Sequence, residues 1–104
     1  MERLCFLIHL VPGTEAEYER LHDQIWPRMT ETLAEAGFTN YSLFRRDQLV
    51  IGYVECVPTV AEANAKYGAT EVSAEWNAAF KGIIATMTDE AGELLRADEV
   101  WHLA

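Results

Sequence analysis

The chain has 104 residues, 50% hydrophobic and 24% charged, with 17 acidic side chains against 8 Lys and Arg and a formal net charge of −9. That length fits one domain spanning residues 1–104, and the composition is globular, which excludes a disordered tail or a coiled-coil rod. Nucleic acid and anionic lipid both demand clustered positive charge, so neither is an expected partner, whereas a neutral ligand is compatible with this balance.

Leu4–Val11 is an apolar run interrupted only by His9 and reads as a buried strand ended by Pro12-Gly13. Thr14 and Glu17 have the spacing of a capping box and open a helix. Tyr18, Leu21, His22, Ile25, Met29 and Leu33 recur along it at helical spacing, Gly37 stops it, and Pro27 predicts a kink or restart near Gln24–Trp26. Tyr41–Arg45 and Leu49–Val57 read as a hairpin about Arg46-Asp47-Gln48, with Gly52 marking a close approach or a bulge. Pro58 ends the second of these strands. Thr59 with Glu62 repeats the capping signal for a short helix to Tyr67, broken by Gly68. A longer helix is expected over Glu71–Met87, with Trp76, Phe80, Ile83, Ile84 and Met87 on one side, and a last strand over Asp98–Leu103.

The order β-α-β-β-α-β is the ferredoxin-like plan, an α+β fold in which helices cover one face of an antiparallel sheet. The first strand is apolar on both faces: Leu4, Phe6, Ile8 and Leu10 on one, Cys5, Leu7 and Val11 on the other. A sheet apolar on both sides wants a second cover, and another copy of the same sheet supplies it, so a symmetric homodimer is expected. Cys5 and Cys56 are too few for a disulfide framework and read as buried free thiols. The N-terminal apolar run is too short for a signal peptide or a membrane span, so a soluble cytoplasmic protein is expected.

The informative segment is Tyr18 through Pro27. Four residues along a helix is about one turn, so Tyr18 and His22 share a face, holding a phenol and an imidazole on an otherwise apolar stripe. Spacing alone leaves two readings open, a packed core or interface pair and an acid–base site. Trp26 and Trp76 are core or a ligand platform on the same grounds. His9 and His102 lack carboxylates at ligand spacing, so no metal is expected. The chain has no GxGxxG, P-loop or GxSxG motif.

His22-Asp23-Gln24-Ile25-Trp26-Pro27, preceded by Tyr18, resembles the signature of the L-rhamnose mutarotase family. Asn40-Tyr41, Trp76 and the closing Glu99-Val100-Trp101-His102-Leu103 agree with it in register from about residue 3 to Leu103. The resemblance implies a ferredoxin-like subunit whose sheets pair in a dimeric α/β barrel, with no cofactor. It implies an isomerase that interconverts the α and β anomers of a neutral deoxyhexose. It further implies His22 as the general acid and Tyr18, Tyr41 and Trp76 as sugar contacts, to which Asn77 adds an amide able to hydrogen-bond in both directions. The family commonly has Trp-Trp at 76–77, and here the pair is Trp76-Asn77. That departure bears on which sugar is used, L-rhamnose or a relative such as L-fucose. A cofactor-free or haem-degrading monooxygenase of the same dimeric plan, and a non-enzymatic ligand-binding module, are the rival readings.

Overall fold

The computed structural model describes residues 1–104 as an antiparallel sheet with helices on one face. The elements are β1 (Glu2–Leu10), α1 (Glu15–Asp23), α2 (Pro27–Ala36), β2 (Phe38–Arg46), β3 (Leu49–Cys56), α3 (Val60–Gly68), α4 (Glu71–Ala79), β4 (Ile84–Thr86) and β5 (Arg96–Ala97). The sheet order is β2-β3-β1-β4, with β5 also paired to β1. This is the expected ferredoxin-like plan with each helical crossover split in two. No helix is long and apolar enough to cross a membrane.

The first split falls where Pro27 predicts it. Gln24–Trp26 leave the helix, and Pro27 opens α2, where its missing N–H costs nothing. The last strand differs from expectation. Residues 98–104 have no regular structure, and β1 is instead flanked by two short pieces in series, β4 beside His9 and Leu10 and β5 beside Cys5 and Phe6. The helix expected over Glu71–Met87 stops at Ala79. Gly82 turns the chain at φ +81°, and Ile84 and Thr86 then pair with the edge of β1. A turn plus an unfilled sheet edge overrides the helical period of Ile83, Ile84 and Met87. Gly68, expected to break α3, is its last residue.

The two capping signals also part company. Thr59 accepts from the Glu62 backbone N–H at 3.1 Å, as expected. Thr14 caps nothing: its hydroxyl donates to Val11 O at 2.7 Å and Ile83 O at 3.3 Å, tying the end of β1 to the α4–β4 turn, and Glu17 pairs with Arg20 instead.

Strand alternation sets the core. Leu4, Phe6, Ile8 and Leu10 of β1 and Val50, Val54 and Cys56 of β3 are buried beneath the helices. Gly52 lies on the same face, and a Cβ there would stand 2.2 Å from Phe6 Cζ, so the missing side chain is the niche in which the Phe6 ring lies. The close approach marked by this glycine is thus to a ring. The opposite face carries Leu7, Ile51 and Phe44 in one row across three strands, and no helix covers it.

Candidate active site

The helices do not close completely onto the sheet. Between them lies a cavity of about 610 Å³, mostly apolar in its lining. It falls within the roughly 300–1,000 Å³ of typical small-molecule sites and exceeds what one pyranose ring fills. Tyr18 and His22 reach it from α1, Tyr41 from β2, and Trp76 and Asn77 from α4, so these five line one space, whereas Trp26, the other platform candidate, does not.

Helical spacing stacks Tyr18 beside His22, with ring centroids 4.6 Å apart. Trp76 meets the imidazole edge-on at 5.3 Å, and Phe80 packs at 5.4 Å from the imidazole and 4.9 Å from Trp76. Trp26 supports Trp76 from behind at 5.2 Å. These contacts fix the imidazole without enclosing it, since His22 is half-buried.

His22 Nδ1 lies 3.0 Å from the Tyr18 backbone carbonyl. A carbonyl only accepts, so Nδ1 carries the hydrogen and donates it. In the neutral ring, Nε2 is left with a lone pair. Burial lowers the pKa below the ordinary histidine value, with the Tyr18 carbonyl and the nearby Asp23 charge acting in the opposite, weaker sense. The imidazole is therefore neutral at pH 7 and presents a base.

The phenols stay protonated. Burial pushes Tyr18 and Tyr67 up to about 12 and raises Tyr41 as well. Tyr41 is 43% exposed as a residue, yet its ring is held against Phe6 at 6.0 Å and Phe38 at 6.2 Å, and desolvation within the cavity governs its hydroxyl. Each of the three is a hydrogen-bond donor with a weakly acidic proton.

The structure adds residues that the sequence did not mark. Phe38, Asn64 and Tyr67 line the cavity from β2 and α3, and Met87, Gly92 and Leu94 close it from the chain between β4 and β5. Asn64 and Tyr67 stand three apart on α3, a spacing visible in the sequence but carrying no chemical signature by itself. His9 is exposed on the uncovered sheet face, and His102 stands 3.7 Å from Glu99 near the C-terminus, so neither joins His22. No three His, Cys, Asp or Glu side chains cluster as a metal site would require. A smaller opening of about 300 Å³ reaches Tyr18 and His22 from outside, bordered by Glu19, Asp23 and Arg45. There Arg45 Nε donates to Glu19 at 2.7 Å.

The family model described as L-rhamnose mutarotase matches residues 3–103. The L-rhamnose mutarotase of Tolumonas auensis is 34% identical over 109 residues, and that of Listeria monocytogenes serotype 4b is 32% identical over 106, each covering 100% of both chains. Among solved structures, L-rhamnose mutarotase from Formosa agariphila superposes with a TM-score of 0.78 at 21% identity, covering 100% of both chains. Tetracenomycin F2 cyclase from Streptomyces glaucescens, a polyketide cyclase, reaches 0.71 at 18% identity over 100% of this chain and 98% of its own, a likeness of fold.

Proposed function

The chain belongs to the L-rhamnose mutarotase family, whose members are carbohydrate isomerases, and we propose that it interconverts the α and β anomers of L-rhamnose at His22. The observation that carries this reading is the convergence of Tyr18, His22, Tyr41, Trp76 and Asn77 on one cavity, with Nε2 of a neutral imidazole unclaimed.

Anomer exchange requires the ring to open and close. Nε2 removes the proton from the anomeric hydroxyl, the C1–ring-oxygen bond breaks as C1 becomes a carbonyl, and the imidazolium so formed delivers that proton to the departing ring oxygen. Rotation about C1–C2 presents the other face of the aldehyde. The reverse sequence closes the ring on that face and restores neutral His22. Histidine is thus base first and acid second, and the acid role implied by the resemblance is the second half of one cycle. Tyr18 and Tyr41 hold sugar hydroxyls, and Trp76 lies against the apolar C–H face of the ring. Asn77 offers an amide where the family commonly carries a second indole, a change that admits L-fucose or another neutral sugar beside L-rhamnose. The Tyr18 carbonyl fixes the tautomer and supports the imidazolium as it forms.

Saturation-transfer NMR between the two anomer signals tests this. His22→Ala is expected to lose about 10²–10⁴-fold in catalysed exchange, with an unchanged circular dichroism spectrum. Exchange at the wild-type rate in that variant removes His22 from the chemistry.

The same reading includes a homodimer paired through the uncovered sheet face. The apolar row Leu7–Ile51–Phe44, with Phe44 62% exposed, supports it. It also places the enzyme in the cytoplasm, in keeping with the unpaired thiols of Cys5 and Cys56.

A further inference from the structure

The polar groups of the cavity divide into those the fold already uses and those it leaves free. Thr30 Oγ1 donates to Pro27 O at 2.8 Å, and Tyr67 OH makes a long contact with Met29 Sδ at 3.9 Å. The side-chain amide of Asn64 has no partner within the chain, and it is not sealed, since no buried side-chain polar atom lacks a partner. Its place in α3 is equally informative. Asn64 lies mid-helix between Ala63 and Ala65, where alanine is the better helix former and asparagine the poorer. It shares a stripe with the buried Val60 one turn before it and with the cavity-lining Tyr67 one turn after it. Helix propensity and packing both favour an apolar side chain there, so neither accounts for the amide.

We infer that Asn64 is a specificity-determining residue whose side-chain amide hydrogen-bonds one ring hydroxyl of the bound sugar from the α3 wall. The inference rests on the mutarotase reading and adds to it a contact that the resemblance does not include. An amide both donates and accepts, as a sugar hydroxyl does. When the ring displaces water from the cavity, a correctly placed hydroxyl satisfies the amide. A sugar without that hydroxyl strands it, which is how a polar wall in an apolar pocket discriminates.

The test is exchange NMR on wild type and Asn64→Ala with L-rhamnose and its 2-, 3- and 4-deoxy analogues. With L-rhamnose, Asn64→Ala is expected to raise KM about two- to tenfold, the worth of one neutral hydrogen bond, with kcat within about twofold as for a contact made equally throughout the reaction. With one deoxy analogue, the penalty is expected to vanish, leaving Asn64→Ala with a KM equal to or below that of wild type, because only wild type strands an amide there. The variant's Tm should equal or exceed that of wild type, because alanine is the better helix former. A KM penalty of equal size on every sugar, or a fallen Tm with no sugar dependence, assigns Asn64 a structural role and overturns the inference. An unchanged KM for L-rhamnose also overturns it while leaving the mutarotase reading intact. Wild type inactive on every sugar overturns both. If Asn64→Ala does not fold, Asn64→Leu, nearly isosteric and without a hydrogen-bonding group, carries the same comparison.

Discussion

His22 is constrained at one nitrogen and free at the other, and that asymmetry has a pH signature. Burial lowers its pKa below about 6.5, the unperturbed value. With neutral imidazole as the proposed base, kcat/KM should be flat through pH 7 and above and should fall on the acid side, with a midpoint below about 6.5. A midpoint above that value would mean that a neighbouring anion, and not desolvation, sets the group. The same shift contributes stability that is present above about 6.5 and is lost as pH falls through the lowered pKa, because the unfolded chain takes the proton more readily. At this scale much of the site was legible. The Tyr18–His22 pairing follows from spacing alone, since one helical turn must bring the rings together. Asn64 was not legible, because an asparagine in a helix announces nothing until the surrounding cavity is known.

Among the elements, the same Thr-x-x-Glu spacing gives a cap at Thr59 and none at Thr14. The difference is tertiary: the Thr14 hydroxyl is claimed by carbonyls of Val11 and Ile83, the latter far along the chain. The missed end of α4 has a similar origin, because short apolar runs satisfy helix and strand periods alike and the open edge of β1 decides between them. The end of α2 was legible, and its glycine is more than a stop signal. Gly37 has φ +107°, its carbonyl accepts from Val57 N–H at 2.9 Å, and a Cβ there would stand 2.1 Å from Val57 O. Gly37→Ala should therefore cost about 2 kcal/mol or more through backbone strain and collision, seen as a Tm lower by roughly 10 °C in a domain of this size. Thermal denaturation followed by circular dichroism checks this, and an unchanged Tm would show that the α2–β2 junction relaxes.

For the molecule as a whole, the helices cover one face of the sheet and leave the apolar row Leu7–Ile51–Phe44 on the other. Two-sided apolarity of β1 is the sequence feature that points to a second cover, since a strand facing water on one side would alternate. Val100, Trp101 and Leu103 add exposed apolar side chains beyond β5, where the sequence suggested a strand. If the uncovered face pairs with a second copy, light scattering should give twice the chain mass for wild type, and Ile51→Glu, at the centre of the Leu7–Ile51–Phe44 row, should give the single mass and a lower Tm. Wild type running as a single chain at tens of micromolar would refute the pairing. The niche at Gly52 has a consequence of another kind. Because the Phe6 ring occupies the space a side chain would take, any larger residue at 52 drives that ring off the floor and into the chamber above it. The interior is therefore sized from beneath, by a position that touches no bound molecule. A lineage could narrow or widen its choice of guest there while every wall residue stayed as it was.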